Sequence, residues 1–223
     1  MHPIVKEGYP FIIGAAFLAV AAYWMAGIYA AIPLAVLALY FTYFFRNPRR
    51  HAPYGSNILY SPADGMVIGV ENIYDTEYID APAKKVTIFL SVFNVHVNRS
   101  PMNGEINYRR YTCGHYAPAY KDSAPFENER HAIGIENNGM RVLVIQIAGI
   151  LARRIVSWVD IGQQVTQGQC YGMIKFGSCT ELIVPENVEI KVKKGDKVTG
   201  GVSIIGPGHR GAAGCPGPLL PDL

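Results

Sequence analysis

Hydrophobic positions follow two different patterns along this chain. No charged residue occurs between Phe11 and Phe45, whereas the later part carries short apolar runs separated by Gly, Pro, Asn and Asp. One membrane crossing needs about 20 consecutive apolar residues, so the first pattern predicts a membrane-embedded helical segment. Short runs rich in Val, Ile and Phe between turn residues are typical of β-strands, so the second pattern predicts a mostly β domain.

The apolar block is too long for one upright helix and slightly short for two full crossings. Gly27 and Pro33 lie near its middle, where a turn could form. We therefore expect two short helices in a hairpin, with one long tilted helix as the alternative. A cleavable signal peptide has an apolar core of only about 7–15 residues, which excludes that interpretation. A buried hairpin of a soluble protein is disfavoured because such helices usually carry a polar stripe.

Flanking charges predict the orientation of this block. Lys6 precedes it, and Arg46, Arg49 and Arg50 follow it directly. Cytoplasmic flanks carry an excess of Lys and Arg. Both the hairpin and the single helix therefore place the β domain at the cytoplasmic face of the cell membrane.

The β-rich part contains an internal repeat. "GQQVTQG" (Gly162–Gly168) and "GDKVTGG" (Gly195–Gly201) share the pattern G-x-x-V-T-x-G, and their glycines are expected to take positive φ. Two such turns predict a small quasi-symmetric β-sandwich or barrel. We divide the chain into an N-terminal anchor with its linker (1–50), a β-rich domain (51–206) and a disordered Gly/Pro-rich tail (207–223).

Similar turns occur in biotinyl and lipoyl carrier domains, so a membrane-anchored carrier or binding module is an alternative function. Such carriers have a modifiable lysine at an exposed hairpin tip. The lysines available are Lys175, Lys191, Lys193 and Lys194, and none is flanked as in those carriers.

Composition excludes several other classes. Charged residues make up only 17% of the chain and the net charge is +3, which argues against a nucleic-acid partner. The four cysteines form no C-x-x-C pair and have no histidine at zinc-ligand spacing, so we expect neither a metal site nor a disulfide scaffold.

A Gly-Ser pair interrupts the apolar run "GMIKFGSCTELIVP" (Gly172–Pro185). The ordinary interpretation is a turn or a bulge. A serine hydroxyl can also attack the preceding glycine carbonyl, convert the peptide to an ester, and break the chain by β-elimination. The dehydroalanine left behind hydrolyses to a pyruvoyl group, a ketone that can form a Schiff base with an amine and accept electrons as pyridoxal phosphate does.

Four stretches carry a resemblance to the phosphatidylserine decarboxylase family in its short form. They are "SPADG" (Ser61–Gly65), "LSVFNVHVNRSPMNG" (Leu90–Gly104), "QIAGILARRIVSWV" (Gln146–Val159) and the Gly-Ser segment, and the similarity extends over roughly residues 35–206. It implies self-cleavage between Gly177 and Ser178, into a large chain (1–177) and a small chain (178–223) that stay together. The pyruvoyl group from Ser178 would then decarboxylate phosphatidylserine to phosphatidylethanolamine at the membrane. A pyruvoyl enzyme acting on a soluble amino acid is disfavoured by the apolar N-terminus.

The resemblance also implies roles for Asp64 and His96, as members of a relay that activates the serine. Many family members have two histidines three residues apart, whereas this chain has His96 and then Arg99. Either His96 serves both chemical steps, or a further histidine, His115 or His131, takes part. Cys179 replaces a threonine of longer members, and we expect it to be a small buried side chain.

The phosphodiester of the substrate requires cationic partners, since guanidinium groups bind phosphate in a bidentate manner. The candidates are Arg109, Arg110, Arg153, Arg154 and Lys175. The loop "YAPAYKDSAPFENER" could be a lipid-facing lid or an ordinary surface loop. The sequence leaves open whether the enzyme is a monomer or a homodimer.

Overall fold

The computed structural model describes residues 3–51, 55, 57–114, 128–149, 154–175 and 178–208. The apolar block forms two helices, α1 (Tyr9–Ala26) and α2 (Ile28–Phe44). Gly27 separates them with a φ of +82°, a conformation that glycine adopts without steric cost. The start of α1 contacts the end of α2, because the Phe11 ring lies 5.6 Å from that of Phe41. The two helices therefore form a hairpin.

The hairpin exposes large apolar side chains over most of its length. Trp24 and Met25 at the tip are 81% and 87% exposed, and Phe17 is 71% exposed. The segment Lys6–Ala26 is long and apolar enough to cross a membrane, while Ile28–Phe44 is apolar but shorter. At 1.5 Å per residue each helix is about 25 Å long, close to the thickness of the hydrocarbon layer.

The rest of the described chain is built from strands. They are β1 (Ile58–Tyr60), β2 (Gly65–Asp75), β3 (Ala81–Leu90), β4 (Val97–Arg99), β5 (Gly104–Thr112), β6 (Arg130–Asn137), β7 (Met140–Ala148), β8 (Arg154–Ser157), β9 (Gln164–Val165), β10 (Cys170–Lys175), β11 (Ser178–Pro185), β12 (Lys197–Val198) and β13 (Ile204–Pro207). The main sheet has eight strands in the order β12-β2-β3-β11-β7-β6-β5-β9. A three-stranded sheet, β4-β10-β8, and the pair β1-β13 complete the domain. The mainly β fold predicted from the sequence is confirmed, with the large sheet curled into a half-barrel.

Strand β11 lies near the middle of the main sheet, antiparallel to both β3 and β7. Its side chains alternate between two apolar clusters. Leu182 and Val184 belong to the larger core, whereas Cys179 and Ile183 belong to a smaller core on the opposite face. Cys179 is 2% exposed, in agreement with its expected packing role, and burial raises the pKa of its thiol to about 12.

The two predicted G-x-x-V-T-x-G turns lie at opposite edges of the main sheet. One leads into β9 and the other into β12, the two outermost strands. Gly162, Gly168, Gly195 and Gly201 all have positive φ, as predicted. The curled sheet brings the turns together, because a Cβ added to Gly201 would lie 3.4 Å from the Gly168 Cα atom. The repeat thus closes the half-barrel at this end.

The base of the hairpin packs directly on the β domain. Phe44 and Phe45 are fully buried in a cluster that also contains Val97 and Met173. The Trp158 indole N–H donates to a Glu7 carboxylate oxygen at 2.9 Å, and Val5 N donates to Phe45 O at 3.1 Å. The anchor and the domain therefore share an apolar core.

Candidate active site

Ser178 begins β11 and is fully buried. Its backbone lies between Leu90 on β3 and Ala148 on β7, so neighbours on both sides fix its position. Its hydroxyl oxygen is buried and has no hydrogen-bond partner among the described residues. Burying an unpaired hydroxyl costs about 1–3 kcal/mol, and such a cost is commonly found where a group is kept for chemistry rather than for stability.

His96 lies just before β4 and is also fully buried. Its carbonyl oxygen accepts a hydrogen bond from Ile174 N on β10 at 3.2 Å, which places it beside the strand that leads toward Ser178. The Phe44 ring stacks on its imidazole at 4.3 Å between centroids. His96 Nδ1 lies 3.0 Å from Asn94 O. Because a carbonyl only accepts, Nδ1 carries the proton and Nε2 is the basic atom.

Burial lowers the pKa of His96 to about 4. The positive charge of Arg46 lowers it further, whereas the hydrogen bond to Asn94 and the negative charge of Asp64 oppose this shift. The imidazole is therefore neutral at pH 7, which is the form that can take up a proton.

Asp64 is fixed by the linker that follows the hairpin. Arg50 Nη1 and Nη2 donate to its two carboxylate oxygens at 2.5 and 2.6 Å, in a bidentate geometry that orients the carboxylate. Gly200 N donates to Asp64 Oδ1 at 2.8 Å, and Arg50 Nη1 also donates to Gly200 O at 2.6 Å. The second G-x-x-V-T-x-G turn and the linker therefore hold the same carboxylate.

Arg99 passes between the two glycine turns. Its Nη1 donates to Gly168 O at 3.0 Å, and its Nη2 donates to Asn47 Oδ1 and Pro48 O, both at 2.9 Å. A Cβ on Gly201 would lie 2.8 Å from the Arg99 Cδ atom. The arginine that stands in place of a second histidine thus ties the linker to the turns.

His131 lies on β6 and is 2% exposed. Its Nδ1 is 3.3 Å from Gln146 Oε1, and Arg109 Nε donates to its Nε2 at 3.2 Å. The Tyr111 ring lies 6.4 Å from its imidazole between centroids. Arg109 also forms an ion pair with Asp160, so its guanidinium group already has two partners.

The other candidate phosphate ligands that the structure describes lie in two different parts of the domain. Lys175 pairs across the strands with Arg154, and its ammonium group lies 5.6 Å from the centre of the Phe11 ring at the hairpin base. Arg110 lies on β5, where the side chain is exposed. Gly177, His115, Arg153 and residues 116–127 of the expected lid loop (116–130) lie outside the described residues. At the end of that loop Asn128 and Glu129 are buried, and Arg130 begins β6.

Sequence reasoning missed several polar residues that hold the site together. Asn98, Gln146 and Thr180 are all fully buried, and the signal that could have revealed them is a polar residue at an inward position of an apolar strand, as in "VLVIQIA". Arg50 and Asn47 carry no comparable signal, because their partners are distant in sequence.

Comparisons with known proteins identify the family of this chain. The family model for phosphatidylserine decarboxylase matches residues 37–206. A phosphatidylserine decarboxylase proenzyme of Carboxydothermus hydrogenoformans is 44% identical over 92% of this chain and 97% of its own length. Proenzymes of the same name from Symbiobacterium thermophilum and Nitrosomonas europaea are 43% and 40% identical, over 91% and 93% of this chain and 94% and 97% of their own lengths. The chain therefore belongs to the phosphatidylserine decarboxylase family, a family of carboxy-lyases.

Proposed function

We propose that this protein decarboxylates phosphatidylserine to phosphatidylethanolamine, in phospholipid biosynthesis, with a pyruvoyl group formed by self-cleavage between Gly177 and Ser178. The observation that carries the proposal is the buried Ser178 hydroxyl, which has no partner among the described residues and lies in the Gly-Ser segment that marks the family. The printed names of the relatives, which describe proenzymes, are consistent with a chain that must be processed.

The cleavage follows ordinary acyl-transfer and elimination chemistry. The Ser178 Oγ atom adds to the carbonyl carbon of residue 177, the C–N bond breaks, and the peptide becomes an ester with a free α-amine. Removal of the Ser178 Cα proton then breaks the Cβ–Oγ bond, which leaves residue 177 as a carboxylate and residue 178 as dehydroalanine. Its imine tautomer takes up water and releases ammonia, which yields the ketone.

His96 and Asp64 are the proposed relay residues. The neutral imidazole of His96 can take the proton that Ser178 Oγ loses during addition. Asp64 contributes negative charge that favours the protonated imidazole, since it raises the pKa of His96. Arg50 keeps the carboxylate in one orientation through two hydrogen bonds.

The surroundings of Ser178 fit a pyruvoyl group. The ketone would replace a hydroxyl whose hydrogen has no acceptor among the described residues, and the paired backbones of Leu90 and Ala148 would hold it in place. When formed, such a group supplies the electron sink that decarboxylation of an amino acid requires. Ser178 is fully buried, so a group formed there would lie away from bulk water.

Substrate recognition is proposed to involve Lys175 and Arg154. The two side chains are cross-strand neighbours, and like charges placed opposite each other are unfavourable unless an anion lies between them. Lys175 is also next to the hairpin base, where a lipid phosphate would lie. The structure thus offers a cationic pair close to the segment that leads to Ser178.

The hairpin is proposed to be embedded in the cell membrane, with the β domain on the cytoplasmic side. The exposed apolar side chains of α1 and α2 support insertion, and the arginines at the end of α2 support the orientation. A substrate that stays in the bilayer then reaches an enzyme held at the same surface. Membership in a family of enzymes argues against the carrier-module alternative.

Denaturing mass spectrometry tests the proposal. The purified full-length protein should give two chains, and the smaller one should begin with a blocked pyruvoyl group. Ser178→Ala should remain a single chain of 24.5 kDa and release no CO2 from phosphatidylserine vesicles. Ser157→Ala, which removes a hydroxyl donor on β8, is the matched control and should split normally. An uncut wild-type chain that still decarboxylates the lipid would refute the mechanism.

A further inference from the structure

The turn between β3 and β4 exposes a large apolar side chain beside the base of the hairpin. Phe93 in this turn is 65% exposed. The turn lies next to α2, because the Tyr40 hydroxyl oxygen lies 3.4 Å from Val92 O. A single exposed apolar side chain needs no explanation by itself, so the position of Phe93 relative to the hairpin decides what its ring can contact.

Hydrogen bonds within the turn fix its shape. Asn94 N donates to Ser91 O at 2.9 Å, which is the bond that closes a four-residue β-turn. The Ser91 N–H and the Ser91 hydroxyl both donate to Asn94 Oδ1, at 2.9 and 2.8 Å. Phe93 is the third residue of this turn, so its ring is carried by a short, internally bonded backbone and not by a long loop.

Arg46 joins the turn to the end of α2. Its Nη1 donates to Tyr43 O at 2.7 Å, and its Nη2 donates to Phe93 O at 2.9 Å. Its guanidinium carbon also lies 3.7 Å from the centre of the Tyr43 ring, within the range of a cation–π contact. Phe93 therefore has a defined place relative to the hairpin.

These contacts set the level of the turn along α2. Tyr40 precedes the last helical residue, Phe44, by four positions, which is about 6 Å along the helix axis. Helical side chains lean toward the N-terminus of their helix, and the N-terminus of α2 is at the tip of the hairpin. The turn therefore lies alongside the last turn of α2 and does not stop below its end.

An embedded hairpin would bring this level to the surface of the bilayer. Tyr40 and Tyr43, the latter 47% exposed, are placed as in the aromatic belt of membrane proteins, whose rings lie among the lipid head groups. Arg46 is a cation at the same level. A Phe ring beside these residues would pass from water into an apolar layer, which is favourable.

We propose that residues 91–94 form an additional membrane contact of this protein, in which the Phe93 ring inserts at the boundary between head groups and acyl chains and Arg46 holds the turn against α2. The partner is a phospholipid bilayer. The inference rests on the embedding of the hairpin that belongs to the proposed function.

The contact would also bring the candidate site to the lipid surface. Asn94 closes the turn, and its carbonyl oxygen lies 3.0 Å from His96 Nδ1. The lipid-facing turn and the proposed base are therefore linked through one residue. The proposal thus places the segment that carries His96 at the level where the serine head group of the substrate lies.

Photocrosslinking from position 93 tests the contact. The full-length Ser178→Ala chain, with p-benzoylphenylalanine in place of Phe93, is translated into nanodiscs made of a single phosphatidylcholine and is then illuminated. The excited ketone adds across a C–H bond, so the adduct carries the whole mass of one lipid, and fragmentation shows whether the new bond is on an acyl chain. We expect acyl-chain adducts in a yield about tenfold above that of the same probe at position 74.

Two positions serve as matched controls. Phe17 on α1 is 71% exposed and reports insertion of the hairpin, whereas Tyr74 on β2 is 60% exposed. Tyr74 pairs with Pro82 on β3, eight positions before Leu90 leads into the turn. This separation is about 27 Å along the strand, so position 74 matches Phe93 in exposure but lies far from the proposed contact.

A second variant tests the role of Arg46. Arg46→Met keeps the length of the side chain and removes both donors, while Arg49 and Arg50 still favour a cytoplasmic location for this flank. The adduct yield at position 93 should fall by about threefold, because the turn loses its bond to the helix end. The yield at Phe17 should stay unchanged. An equal yield at position 93 with and without Arg46 would overturn its part in the inference.

The outcomes separate this inference from the proposed function. If position 17 gives no lipid adduct, the hairpin is not embedded, and the proposed location fails together with the inference. If position 17 gives acyl-chain adducts while position 93 gives none, or gives adducts with head groups only, the inference alone is refuted. A crosslink from position 93 to the same chain or to a second copy, without lipid, would show a different occupant and would also refute it. Because the chain carries Ser178→Ala, none of these results depends on self-cleavage or decarboxylation.

Discussion

The contact between the helical hairpin and His96 leads to our most specific prediction. Phe44 is the last residue of α2, is fully buried, and stacks on the His96 imidazole at 4.3 Å. It also packs on Phe45 at 5.0 Å between ring centres. Phe44→Ala removes the ring that covers one face of the imidazole and leaves a cavity between the anchor and the domain.

The expected cost can be worked from this burial. Replacing a buried Phe by Ala costs about 3–5 kcal/mol, within a total stability of about 5–15 kcal/mol for a protein of ordinary size. The variant should therefore fold, with a weakened junction. Water that enters the cavity reduces the desolvation of His96. We expect the pKa of His96 to rise from about 4 toward its ordinary value of about 6.5.

The pH dependence of precursor cleavage in nanodiscs measures this change. His96 is the proposed base and must be neutral to act, so cleavage by the wild type should decline only as the pH approaches 4. In Phe44→Ala the decline should begin between pH 6 and 7, and the rate at pH 5.5 should fall by about tenfold relative to pH 7.5. Phe17→Ala, on the exposed face of α1, should show the wild-type profile. A Phe44→Ala variant whose melting temperature falls while its pH profile stays unchanged would refute the link between the hairpin and His96.

Three further predictions concern stability and the fixed carboxylate. In urea titrations of the uncut Ser178→Ala chain, the free energy of unfolding should fall by about 3 kcal/mol between pH 7 and pH 4. The reason is that unfolded His96 takes up a proton near 6.5, while the folded form stays neutral until about 4. Adding His96→Gln should abolish this part of the loss. Gly201→Ala should lower the unfolding free energy by about 1–3 kcal/mol. The reason is that φ is +72° at this position and the new Cβ would lie 2.8 Å from the Arg99 Cδ atom. An unchanged midpoint in thermal denaturation would contradict this prediction. Arg50→Gln removes the bidentate partner of Asp64. It should slow precursor cleavage by about tenfold and lower the unfolding free energy by about 3 kcal/mol. Arg49→Gln at the exposed neighbouring position should match the wild type on gels.

Several features of the fold follow from local sequence signals. The uncharged block and Gly27 are sufficient for two apolar helices, and turn residues between Val- and Ile-rich runs are sufficient for a mainly β domain. The paired G-x-x-V-T-x-G motifs predict four glycines with positive φ, because the steric reason for such glycines is local. That the two turns meet is not a local property. It depends on the curl of an eight-stranded sheet, which brings the turns at its two edges into contact.

The candidate site is harder to predict from the sequence, because many of its contacts join residues that are distant along the chain. The Gly-Ser pair and His96 are found from motifs, whereas the bond from Arg50 to Asp64 joins a linker to a turn that only the folded chain brings together. Gln146 and Thr180 become partners through the strand register of β7 and β11. A single sequence shows that polar residues lie at inward positions, but it does not show which strands are neighbours.

The central position of β11 has a consequence for the product of the proposed cleavage. If the peptide bond before this strand is cut as proposed, the native state would consist of two polypeptides interleaved in one sheet, and its folding would become a second-order reaction. After denaturation the large chain would have to bind the separate small chain, which carries β11. The rate of refolding should therefore depend on protein concentration, and refolding should compete with aggregation. The lifetime of the cleaved protein would then depend on its rate of unfolding. Only the uncut precursor could form this sheet from a single polypeptide.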